Sequence, residues 1–135
     1  MKKIIFIILA LILIGGLAGM YFYYKPTASL EDQQPVATLT ADSIFSAFET
    51  NEAMANQSYL DKVIVVSGKV QSITTDTSGT AISLETSSGM FGVTCKLEPN
   101  SKVAGDYKTG QQVNLKGICT GYLMDVVLIR CVPAN

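Results

Sequence analysis

The sequence has no histidine and no tryptophan, and only 16% of its 135 residues are charged. Without histidine the commonest general base, proton shuttle and metal ligand is missing, leaving carboxylates, lysines, hydroxyls and three thiols for any chemistry. No G-x-S-x-G elbow, S-x-x-K pair or phosphate-cradling Gly-Lys loop is present, and no cysteine has a histidine to activate it. Asp76, Asp106 and Asp125 lie beside turn residues, where aspartate caps and solvates the backbone. Cys95, Cys119 and Cys131 with a carboxylate make a poor zinc set for an exported domain. These absences exclude most enzyme classes, and the expectation is a protein with no catalytic residues, cofactor or metal.

What charge there is divides unevenly. Lys2, Lys3 and Lys25 fall in the first 25 positions with no acid among them, so the remainder holds seven basic and eleven acidic residues, net −4. Ile4 to Tyr24 runs without a charge. At about 1.5 Å per helical residue this stretch spans roughly 30 Å, one hydrocarbon core. A transmembrane helix is the direct reading, and a cleaved signal peptide the competing one. The apolar run is long for a signal peptide, and Gly16-Leu17-Ala18 is a poor small-x-small site. Met20 stands where lipoprotein processing would need a cysteine. Tyr21 to Tyr24, with Lys25 and Pro26, read as an interfacial belt. The two leading lysines then hold the N-terminus in the cytoplasm and place the domain on the periplasmic side of a bacterial inner membrane. Gly15 and Gly19 form a G-x-x-x-G step at which two anchors could pack.

Residues 25–38, with two prolines and no apolar period, read as a flexible linker with a mean reach on the order of 20 Å. Residues 39–135 then make the folded domain. Thr40 caps an amphipathic helix running to near Leu60, with Leu39 and Ile44 as a hydrophobic staple and Ile44, Phe48, Ala55 and Tyr59 on one stripe.

From Lys62 the period changes to two. Five strands are expected: Val63 to Ile73 with Gly68 marking a bend, Ala81 to Thr86, Met90 to Leu97, Val113 to Cys119 and Asp125 to Val132. The stretch Glu98 to Gly110 reads as a loop. Five short strands with a bent first one, and the longest connection after the third, fit a mainly-β, five-stranded OB-fold barrel behind one amphipathic helix and an N-terminal transmembrane helix.

The residues also carry a resemblance. Phe48, Asn51-Glu52, Ala55 and the run Tyr59-Leu60-Asp61-Lys62-Val63 to Val70 are similar to the opening of the tRNA_anti-like OB-fold family. Val93-Thr94-Cys95, Gly110 to Gly121 and Asp125 to Cys131 match its closing pieces, the triple-cysteine pattern being the most specific. The resemblance implies an OB barrel, often behind a membrane segment or lipid anchor. The family name implies likeness of fold to the nucleic-acid-binding barrels of tRNA synthetases.

On such a barrel a nucleic-acid site needs a basic groove and stacking rings on the outer face of strands two and three. With Phe91, Val93, Cys95 and Leu97 inward, that face offers Gly92, Thr94, Lys96, Ser83 and Glu85, and no ring. The expectation is that nucleic acid is not the partner, because phosphate contacts supply most of such affinity and the net −4 charge of the domain opposes them. The favoured reading is a membrane-tethered, extracytoplasmic binding module for an envelope protein, a peptide or a saccharide. Its candidate loop is Tyr122, Leu123 and Met124, with Lys69 and Lys96 as the cationic candidates on the face. The competing role for Leu123 and Met124 is to plug the barrel end. In an OB barrel strands three and five run side by side and parallel, so Cys95 and Cys131 share one end and are the expected disulfide, with Cys119 a buried thiol. Three reduced core cysteines are the alternative.

Overall fold

The computed structural model describes residues 2–24, 29–99 and 106–134. Helix α1 (Lys2–Tyr24) is long and apolar enough to cross a membrane, and its side chains from residue 3 onward are exposed. Lys25 and Pro26 of the expected belt, the first residues of the expected linker and the middle of the expected loop before Gly110 lie outside the described residues.

The stretch expected to be a linker is structured from Ser29 onward. Ser29 caps a 3-10 turn (Leu30–Asp32), its hydroxyl accepting the Glu31 N–H at 3.3 Å, and Leu30 is fully buried. Lys116 reaches back to this turn, its Nζ donating to the Glu31 carbonyl at 2.7 Å and the Gln33 carbonyl at 3.0 Å. Strand β1 (Ala37–Thr40) then pairs in parallel with the next strand, Ala37 beside Ile64 and Thr40 beside Ser67. Four residues give no readable period, and the partner that orders them is remote in sequence.

The helical stretch is two helices where one was expected. Thr40 caps α2 (Ala41–Thr50), accepting the Ser43 N–H at 3.1 Å. Asn51 ends α2 and starts α3 (Glu52–Tyr59), its Oδ1 accepting the Met54 N–H at 3.1 Å. Asparagine competes with helical hydrogen bonding by capping, so the chain re-starts there. Ile44, Phe48 and Ala55 are buried, as the stripe requires.

The remaining strands are β2 (Val63–Asp76), β3 (Gly79–Leu84), β4 (Val93–Leu97), β5 (Gln112–Tyr122) and β6 (Val126–Pro133). The sheet runs β1-β2-β3-β4-β6-β5 and closes through β2 against β5, which makes an OB-fold barrel with β1 as an added edge. β2 serves both sides because it is long. Its Val63–Lys69 part pairs with β5, and the part from Val70 to Asp76 with β3, across a register shift between Val70 and Ser72. Gly68 sits just before that shift, where an added Cβ would come within 3.1 Å of Ala41 and 3.2 Å of Leu84. β4 and β6 run parallel. Alternating residues of all five barrel strands fill the interior, among them Ile64, Ile82, Leu84, Cys95, Leu115 and Leu128. Burying each such large side chain contributes about 1.5–3 kcal/mol.

Candidate functional site

Two loops meet at the barrel end where β4 and β6 begin. The first, residues 85–92 between β3 and β4, is built on the buried Thr86, whose hydroxyl donates to the Phe91 carbonyl and lies 2.8 Å from the Ser88 hydroxyl. The turn closes with the Gly89 N–H on the Thr86 carbonyl at 3.0 Å, and Gly89 has a φ of +70° that favours glycine. The Asp42 carboxylate, in the first turn of α2, accepts the Ser87 N–H at 2.6 Å and fixes the loop to the helix.

The second loop, residues 123–125 between β5 and β6, is locked to the first by Asp125. One carboxylate oxygen accepts the Gly92 N–H at 2.9 Å and the other the Thr94 hydroxyl at 3.2 Å. The Val126 N–H donates in turn to the Gly92 carbonyl at 3.0 Å. Gly92 has no room for a side chain, since a Cβ there would lie 2.3 Å from the Leu84 carbonyl oxygen.

These fixed loops present apolar side chains to solvent. Leu123 is 90% exposed, Met90 79% and Met124 61%, with Phe91 at 37%. Leu123 and Met124 therefore project from the barrel end and do not plug it. Phe91, expected to point inward from a strand, precedes β4 and sits on this rim. Beside the rim a groove of about 770 Å³ runs between α3 and the outer faces of β4, β5 and β6, bordered by Glu52, Leu60, Lys96, Leu123, Asp125 and Val127.

The other candidates fall in different places. Tyr122 is half-buried, its ring stacked on Phe48 at 5.8 Å between centroids and edge-on to Phe45 at 5.8 Å. It packs α2 against the barrel and lends only part of its surface to the groove. Lys69 lies away from the groove and pairs with Glu85 at 3.8 Å, an exposed contact of little energy. Lys96 is exposed on β4 and does border the groove. Met90 and Phe91 were missed as a site in the sequence because the period-two run hid a turn before β4.

The cysteines are all free and buried. The Cys131 thiol hydrogen-bonds with Cys95, and that bond and burial hold its ionisation well above the ordinary thiol value. Cys119 is separate, its ionisation raised chiefly by burial. Among the described residues no three cysteine or carboxylate side chains converge on a metal-sized site.

A closed five-stranded barrel with helices packed against it defines the OB fold. The chain belongs to the tRNA_anti-like family, whose model matches residues 1–132. No curated protein is significantly similar to it. Among solved structures it is similar to a "putative nucleic acid-binding lipoprotein" from Klebsiella pneumoniae subsp. pneumoniae, at 14% identity and a TM-score of 0.57 over 72% of this chain and 91% of that one. At that identity the likeness is one of fold.

Proposed function

We propose that this chain is a membrane-anchored, non-catalytic binding module on the extracytoplasmic side of a bacterial inner membrane, and that its rim takes an apolar segment of another envelope protein or peptide. The observation that carries the reading is the pairing of exposure with rigidity. Leu123 and Met124 stand in solvent on a loop whose backbone is fixed by Asp125 to Gly92 and Thr94. A pre-ordered apolar loop loses little entropy on binding, which favours a partner that buries it.

The direction of the rim also favours a protein partner over the bilayer. Leu30 docks against β5 and β6 beside Lys116 and Pro133, the far end of β6 from the 123–125 loop. From Tyr24 to Leu30 the chain can reach about 20 Å at most, and β6 itself is about 25 Å long. The docked end is thus tied close to α1, with the apolar loop at the opposite end of the strand. A saccharide is less well served, since the ring of Tyr122 is stacked inside on Phe48.

Single-stranded nucleic acid is the second reading, favoured by the description of the Klebsiella structure. The groove weighs against it, with Glu52 and Asp125 beside Lys96. Fluorescence anisotropy of labelled single-stranded DNA and RNA with the detergent-purified chain at low salt separates the two. The protein-binding reading expects no change in anisotropy, and salt-sensitive binding would replace it with the nucleic-acid reading. Protease treatment of spheroplasts tests the location, the domain being digested from outside if it is exported and protected if it is not.

A further inference from the structure

The two rim loops carry sulfur as well as apolar surface. Met90 stands two residues before Gly92 and Met124 one residue before Asp125, and the bond from Gly92 to the Asp125 carboxylate brings both thioethers to one end of the barrel. Met90 is 79% exposed and Met124 61%, so with Leu123 and Phe91 they make half of the four apolar side chains on the rim. The thiols are placed the opposite way, with Cys95, Cys119 and Cys131 all fully buried. Sulfur oxidation follows exposure, so an oxidant arriving from solvent meets these thioethers and not the thiols.

We propose that Met90 and Met124 are a modification site, oxidised to methionine sulfoxide by a hypohalous acid, and that this oxidation releases the partner from the rim. The proposal rests on the rim reading above. With hypochlorous acid each thioether sulfur gives up two electrons and takes the oxygen. A sulfur–oxygen bond forms, the oxygen–chlorine bond breaks, and chloride and a proton leave. The product is a polar side chain where an apolar one stood, and a methionine sulfoxide reductase can reverse it. On the free domain the new oxygen is hydrated and costs nothing. Against an apolar partner it loses its water with no donor to replace it, and the complex is weakened at both positions.

A third methionine supplies the control. Met54 is 63% exposed on α3, where it borders a different groove, between α2 and α3, with Ser43, Ala47 and Ser58. It is open to the same oxidant and has no part in the rim.

The first arm of the test treats the full chain, purified in detergent, with graded hypochlorous acid and maps its peptides by mass spectrometry. Sulfoxide at Met54, Met90 and Met124 with three unmodified cysteines is the expected result, and the unfolding temperature should stay within about 2 °C of the untreated value. Thiols that react before Met90 and Met124, or a larger fall in unfolding temperature, would overturn the proposal. The second arm uses intact cells with a photoreactive residue at position 123, at a dose that oxidises Met90 and Met124 in the recovered chain. The protein adduct should fall at least about tenfold in the parent and in Met54→Leu. In the double variant Met90→Leu, Met124→Leu, which keeps the apolar surface without the sulfur, it should stay at its untreated level. Failure of either methionine to oxidise in cells, an adduct that persists in the parent or in Met54→Leu, or one that is lost in the double variant as well, overturns the switch and leaves the rim reading standing. No protein adduct from untreated cells overturns the rim reading and the switch with it.

Discussion

The carboxylate of Asp125 accepts the backbone N–H of Gly92 at 2.9 Å, tying the loop after β5 to the loop before β4. Replacing Asp125 with alanine removes this bond and the one from the Thr94 hydroxyl. The expected cost is about 1–3 kcal/mol of stability, with faster amide exchange at Gly92 than in the parent. Denaturant unfolding and exchange by NMR check both, and an unchanged Gly92 amide would mean that the loops are held together by something else.

Gly92→Ala should be worse than its size implies. The added Cβ would stand 2.3 Å from the Leu84 carbonyl oxygen, which is backbone and cannot swing away. The start of β4 must shift, and the destabilisation should be about 2–3 kcal/mol by denaturant midpoint. A neutral result would show that the two loops move freely.

Tyr122 and Leu123 are neighbours with opposite expected behaviour. Tyr122→Ala removes a ring packed on Phe48 and Phe45 and should cost about 2–4 kcal/mol. Leu123→Ser removes a side chain that is 90% exposed and should change stability by less than about 0.5 kcal/mol while abolishing partner binding. Thermal unfolding of both variants, with binding measured on the second, separates packing from recognition at adjacent positions.

Tyr107 offers a test in the stabilising direction. Its hydroxyl is the buried side-chain polar atom that lacks a hydrogen bond among the described residues, and burial raises its ionisation. Tyr107→Phe removes an unpaired polar group from the interior and should be neutral or stabilise by up to about 1 kcal/mol. A loss of stability in the unfolding curve would reveal a partner for that hydroxyl.

Asp76 makes the β2–β3 turn pH-sensitive. Its carboxylate accepts the Ser78 hydroxyl and, at 2.7 Å, the Ser78 N–H, and these bonds lower its ionisation below the ordinary value. A lowered value in the folded state means that the contribution is present above the unfolded-state value, near pH 4, and is lost as pH falls through the folded one. The Ser78 amide should therefore lose protection only below about pH 4, as read by NMR, and Asp76→Ala should show that loss at every pH.

The barrel strands were legible because their period of two is written by their own residues, as in Val113, Leu115 and Cys119. The Thr40 cap and the stripe through Phe48 were legible for the same local reason. β1 and the docking of the Leu30 turn were not, because both depend on partners far along the chain, Ile64 to Ser67 and Lys116. The break at Asn51 was hidden by an apolar stripe that runs on across it. For the candidate site, Leu123 and Met124 stood out as apolar residues in a loop. Met90 and Phe91 did not, because alternation alone extends β4 backward over them, and only the Thr86 turn shows that the chain has left the strand. Tyr122 was readable as a ring near a loop but not as a core ring, since its partners lie on α2.

The most direct test of the rim is site-specific photo-crosslinking of the full chain in intact cells. A photoreactive residue is placed at Leu123, and at Ser78 on the β2–β3 turn as the control. A discrete protein adduct from position 123, absent from 78 and lost when Asp125→Ala is combined with it, is the predicted result. Adducts that are equal at both positions, that consist of nucleic acid, or that do not form at position 123 would contradict a binding rim built on Leu123 and Met124.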